Sequence, residues 1–166
     1  MPPDVAIFAV GNRSRGDDAI GPLLLERLAQ WLEAAGRSGD FTLIEDYQLH
    51  IENALDLRGK RLALFIDAGD ATPSPLAFYA IGAAPAVAAP STHRLPPQEV
   101  LGVYRQVAGS EPPPSFVLCV HGERFELGEG LSAAAKANLE SAWRHLTGLC
   151  HRPDAARWRR LADAPA

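Results

Sequence analysis

Apolar residues fall in two rhythms along this chain. The first is the short, nearly unbroken run. VAIFAV (5–10), RLALFIDAG (61–69) and SFVLCVHG (115–122) are rich in β-formers and almost free of charge, as strands buried on both faces should be. FTLIEDY (41–47) reads as a further strand. So does LAFYAIG (76–82), placed at an edge because no long helix separates it from the strand before it. The second rhythm is helical. Ile20, Leu24, Leu28, Trp31, Leu32 and Ala35 recur at three- and four-residue steps. Pro22 is tolerated only in a first turn, so this helix begins close to Asp18, and Gly36 and Gly39 end it. A short helix is expected over HIENALDLR, with Gly59 as its stop. Another runs from Pro96 to about Ala108 with Val100, Val103, Tyr104 and Val107 inward. A last helix, capped by Ser132, buries Ala135, Leu139, Ala142, Trp143, Leu146 and Leu149.

Strands alternating with helices predict an α/β fold: a three-layer α/β/α sandwich around a mostly parallel, twisted sheet of about five strands. The 166 residues suit one domain, 1–151. The segment 152–166 carries four arginines and Trp158 with little periodicity and reads as a loosely docked or disordered tail. A net charge of −4 gives no global field favouring nucleic acid or an anionic membrane. The N-terminus has no basic region ahead of its strand-length apolar run, and no segment is long enough to span a bilayer, so a cytoplasmic protein is expected. Cys119 and Cys150 are far apart and flanked by apolar residues, which suits two buried free thiols.

In such folds ligands bind beyond the carboxyl ends of the strands, which directs attention to three loops. GNRSRGDD follows the first strand, DAGDATPS closes the third, and APSTHRLPP follows the fourth. They offer Asp17 or Asp18, Asp67 or Asp70, and His93. Two carboxylates and an imidazole suit a borderline divalent ion such as nickel, zinc or manganese, with positions left for water or substrate. Plainer roles compete. An acid before a helix caps it, and that is the reading for Asp17; on the residues alone Asp18 is a cap or a solvated acid. Asp67 ends an apolar strand, where an ionised carboxylate needs a partner or an ion. His50, His121, His145 and His151 have no supporting motif, and the last two read as solvated. The helix start and Arg13 and Arg15 also suggest a phosphate site. However, no GxGxxG or GxxxxGK[ST] is present, and paired aspartates repel phosphate.

These residues resemble the [NiFe]-hydrogenase maturation peptidases. The family pattern G-N-x-x-x-x-D-[DE]-x-x-G is met by Gly11-Asn12, Asp17-Asp18 and Gly21. A strand ending in (V/I)DA is met by Ile66-Asp67-Ala68, and S-x-H-x-L opening a helix by Ser91, His93 and Leu95. The resemblance implies three nickel-contacting residues, here Asp18, Asp67 and His93, with Asp18 a shorter carboxylate than the Glu frequent at its position. It implies an endopeptidase that removes a C-terminal extension from the hydrogenase large-subunit precursor once nickel, carried by that substrate, is in place. It also implies a monomer. Asp18 and Asp67 are then the candidate bases. DYQLHIENALDL (46–57), in place of a DGGT-like segment, and PPPSFVLCVHGERFELGEGLS are similar to the branch serving bidirectional, NAD-linked hydrogenases. Residues 48–52 would touch the large subunit or simply start a helix. The alternatives are a non-proteolytic, nickel-sensing chaperone of the large subunit and a nucleotide-binding module.

Overall fold

All six residues of β1 (Val5–Val10) are buried, as an uncharged run at the centre of a sheet requires. The computed structural model describes residues 3–85 and 95–164. Around β1 stand β2 (Phe41–Asp46), β3 (Leu62–Gly69), β4 (Leu76–Ile81) and β5 (Ser115–His121), in spatial order β2-β1-β3-β5-β4. The first four in that order are parallel; β4 runs antiparallel to β5 at the edge. The sheet is therefore α/β, five-stranded and mostly parallel, with β4 at an edge as its short connection predicts.

Strand alternation divides the core between two faces. On one, Ile7, Leu64, Ile66 and Leu118 meet α1 (Ile20–Ala34) and α3 (Ala133–His151). On the other, Phe8, Phe65 and Val117 meet a 3-10 helix (Ile51–Leu57) and α2 (Pro97–Ala108). The Phe8 and Phe65 rings stack there with centroids 4.6 Å apart. Among the described residues no helix is long and apolar enough to cross a membrane.

Five expectations need revision. In α2, Val100 is buried and Val103 and Tyr104 pack half-buried on the core as predicted, but Leu101 and Gly102 are also buried and Val107 is 66% exposed. In α3, Leu139 and Trp143 are only half-buried, and Trp143 carries the Arg27 guanidinium 4.4 Å above its ring. Cys150 is buried but Cys119 only half so, both as free thiols. The segment after residue 151 is a docked helix, α4 (Ala155–Asp163), with Trp158 completely buried. Asp154 caps it by accepting from Arg157 N–H at 2.9 Å.

The reason α4 docks lies at the end of α3. The Leu149 carbonyl would pair with the N–H of residue 153, but Pro153 has none. The Trp158 indole N–H fills that vacancy at 3.1 Å, and the Arg157 guanidinium donates to Gly148 O at 2.9 Å. Trp158 then lies edge-on to Phe116 (5.4 Å) and Phe78 (6.3 Å). His145, read as solvated, instead packs its ring 4.9 Å from Phe78, with Nε2 buried and unpartnered. Burial, and secondarily the Arg157 charge, hold its pKa below the usual histidine value.

Candidate functional site

The turn after β1 is shaped by close approach. Gly11 N–H donates to Asp46 O at 3.0 Å, and a Cβ on Gly11 would stand 2.0 Å from the Asp18 carbonyl oxygen, so no other residue fits. Asn12 Oδ1 accepts from Ser14 N–H at 2.8 Å, while Asn12 N–H donates to Asp18 Oδ2 at 2.6 Å. Residues 16–19 then form a 3-10 turn leading directly into α1.

Within that turn the two aspartates part company. Asp17 does not cap its own helix; it is fully buried and braces the loop between β5 and α3. Its carboxylate accepts from the N–H groups of Glu123 (2.7 Å), Arg124 (3.0 Å) and Ser132 (2.8 Å), and from the Ser132 hydroxyl (2.7 Å). That hydroxyl also accepts from Ala135 N–H at 3.1 Å, capping α3 as expected. Burial pushes the Asp17 carboxyl up, but the Ser132 and Glu123 N–H groups, the Ser132 hydroxyl and Arg124 N–H outweigh it, and its pKa lies below the usual carboxylate value. Two backbone bonds, Asp17 N–H to Arg124 O (2.7 Å) and Gly16 N–H to Glu129 O (3.1 Å), complete the brace.

Asp18, half-buried, lines an open groove with Arg15, Ala68, Gly69, Asp70 and Phe125. Arg13 is not directed to that groove. It clasps Glu45 of β2 at 2.7 Å and Glu26 of α1 at 3.0 Å, which removes it as a phosphate ligand.

Asp67 sits near the carboxyl end of β3, its Oδ1 accepting from Ala68 N–H at 2.8 Å. Strand parity turns it to the α2 side with Phe65, whereas Ala68 faces the α1 side. Asp67 therefore lines a separate cavity of about 270 Å³ between the sheet and the start of α2. Cys119 is its register partner on β5 and lines the same cavity, its Sγ 2.9 Å from Thr72 Oγ1. Burial raises the Cys119 thiol and Tyr79 phenol pKa values, and the Asp67 charge adds to both shifts. The thiol is thus protonated at neutral pH.

The structure thus brings Asp18 and Asp67 to one edge of the sheet, opening on opposite sides of β3. Ser91 and His93 lie outside the described residues. Because β4 is antiparallel, its carboxyl end lies at the opposite edge of the sheet from those of β1 and β3. The chain has returned by Leu95, whose N–H donates to Leu49 O at 3.3 Å and which lines the cavity with Asp67. Among the described residues no three His, Cys, Asp or Glu side chains are grouped to hold a metal. Asp70 is exposed on the groove, and His121 donates through Nδ1 to Thr72 O at 2.7 Å. Tyr79 and Cys119 were not singled out from sequence as site residues. The position of Cys119 near the end of an apolar strand was the available signal.

No protein-family model and no curated protein sequence matches this chain. Solved structures do. HycI, a [NiFe] hydrogenase maturation protease from Thermococcus kodakarensis, is 23% identical, covering 89% of this chain and 92% of that one at a TM-score of 0.61. The hydrogenase maturating endopeptidase HybD from E. coli is 18% identical, covering 92% and 94% at 0.67. A hydrogenase 2 maturation peptidase from a Thaumarchaeota archaeon is 16% identical, covering 89% and 97% at 0.60. At these identities the likeness is one of fold: this chain has the architecture of those endopeptidases over about nine-tenths of its length.

Proposed function

We propose that this protein is an endopeptidase that removes the C-terminal extension of a [NiFe]-hydrogenase large-subunit precursor after nickel insertion. One observation carries the reading: in a chain with the fold of hydrogenase maturation endopeptidases, Asp18 and Asp67 lie at the carboxyl edge of the sheet. Nickel enters as part of the substrate. Asp18 and Asp67 supply oxygen donors and His93 an imidazole, a set that accepts a divalent ion already held by other ligands. Contact with the metal then tests for its presence and positions the scissile bond in the same act. The carbonyl is polarised by that metal, or the attacking water gives its proton to Asp18 or Asp67. The protein acts as a cytoplasmic monomer on its precursor. The finer assignment, to the branch serving bidirectional NAD-linked hydrogenases, rests on the character of residues 46–57 and 112–132.

Incubation with nickel-loaded precursor, followed by mass spectrometry of the large subunit, tests the proposal. Asp18→Asn, Asp67→Asn and His93→Ala should each slow processing by about 100-fold or more. Their melting temperatures should stay within about 4 °C of the parent, roughly 1 kcal/mol. A stable complex with no shortened product would replace the endopeptidase by a chaperone. Full activity in all three variants would discard the site.

A further inference from the structure

The edge strand β4 is covered on its α1 side by α3 and α4, and His145 of α3 lies beside both. Its ring packs 4.9 Å from Phe78, which stands edge-on to Trp158 at 6.3 Å. His145 Nε2 is buried with no hydrogen-bond partner. The charge that acts on this ring is the Arg157 guanidinium of α4, and among the described residues no carboxylate acts on it. β4 and β5 present Leu76, Phe78, Phe116 and Leu118 to this side, none of which ionises. On α3 the adjacent Arg144 turns to the Ser141 hydroxyl at 3.3 Å, and Asp154, Arg159, Arg160 and Asp163 of α4 are exposed. α4 itself is held at few points. Trp158 is its one buried residue, and two side-chain bonds tie it to the last turn of α3. Arg61 pins Pro153 O at 2.7 Å, so the helix has a fixed point just before its start.

We propose that α4 is an acid-sensitive latch: protonation of His145 releases it from α3 and β4 while the sheet and the other helices stay folded. The inference is independent of the endopeptidase reading. A neutral imidazole carries one proton and leaves the other nitrogen bare, but the cation carries a proton on both. Nε2–H must then point into the core without an acceptor. The Phe78 face attracts a cation, but less than a buried ion loses on leaving water. The Arg157 charge adds repulsion, and burial with that repulsion holds the His145 pKa below its ordinary value. Release of α4 relieves every one of these costs together, because it removes Arg157 and opens the ring to water. Since the docked form has the lower pKa, docking is complete above the ordinary value of about 6.5 and weakens as pH falls below it. One proton sets the ceiling: between pH 7.5 and pH 5.5 the open fraction gains at most about tenfold.

The test is limited papain digestion of the full chain at pH 7.5 and pH 5.5, with fragments identified by mass spectrometry. His145→Phe runs alongside, so the pH dependence of the protease cancels in the ratio. Cleavage within residues 152–163 should rise about three- to tenfold in the parent relative to the variant. His145→Gln, small and neutral at both pH values, should behave as the Phe variant does, and it replaces that variant if Phe overfills the site. Titration of the histidine rings by NMR measures the same coupling in reverse. Trp158→Ala, which detaches α4, should move the His145 midpoint up to about 6.5, and Arg157→Met should move it part of the way. A cleavage ratio constant within about twofold, or cleavage that rises equally throughout the chain, overturns the latch. So does a His145 midpoint unchanged in Trp158→Ala.

Discussion

Trp158→Ala should detach α4. Trp158 is the one buried residue of that nine-residue helix, and its ring fills the space between Phe116, Phe78 and the end of α3. Truncating a fully buried aromatic costs about 3–5 kcal/mol in transfer and cavity terms. The same substitution removes the indole donor from the Leu149 carbonyl, and Pro153 has no N–H to replace it. For a chain of this size each kcal/mol is worth about 2–4 °C, so the melting temperature should fall by roughly 10 °C. Trp158→Phe separates the contributions. It keeps most of the ring and loses the hydrogen bond, for about 1–3 kcal/mol. Thermal melts by circular dichroism measure both, and limited proteolysis reports whether cleavage appears between residues 152 and 163 in the Ala variant first. A Trp158→Ala melting temperature within about 2 °C of the parent would refute the docking argument. So would a Phe variant as damaged as the Ala variant.

Asp17→Asn replaces one acceptor oxygen by a donor facing Ser132 N–H and removes the charge from four hydrogen bonds, for about 2–4 kcal/mol by denaturant titration at pH 7. Because the folded pKa is depressed, this stabilisation is complete above the unfolded value of about 3.9 and disappears as pH falls through the folded pKa, so the gap between parent and variant should close in acid. Gly16→Ala places a Cβ 2.5 Å from Arg124 O at a φ of +53°, and should lose about 2–4 kcal/mol in the same titration. His145 is held neutral in the fold, its folded pKa below the unfolded value of about 6.5. The unfolded chain therefore takes the proton first, and stability contributed at neutral pH is lost as pH falls below that value. His145→Phe should melt with a shallower decline than the parent between pH 7 and pH 5.

The strands were legible because continuous apolar runs such as 5–10 and 62–69 have no helical alternative of adequate length. The antiparallel direction of β4 was not, since it depends on pairing with β5, which comes later in the chain and across a helix. Helix α2 offered Val100, Leu101, Val103, Tyr104 and Val107; packing took Leu101 into the core beside the first of them and left Val107, in the last turn, in solvent. Helix α4 was invisible because its reason to exist is a set of carbonyls at the end of another helix, not an apolar period of its own. At the site, position before a helix made Asp17 read as a cap, because the donors that claim its carboxylate belong to another loop more than 100 residues away. The cavity beside Asp67 is a gap between elements, and no single segment encodes a gap.

The brace on Asp17 also has a temporal consequence. Its backbone donors lie 106, 107 and 115 positions downstream, among the longest loops the chain must close, and contacts of that span form late and reward the chain only when nearly everything else is placed. A nascent or partly folded chain that has already made β1, β2 and β3 possesses both Asp18 and Asp67, yet the turn carrying Asp18 then has only its short-range bonds and its bond to β2, without the brace on Asp17. The shape of this edge of the sheet therefore depends on a loop that the chain reaches more than 100 residues later.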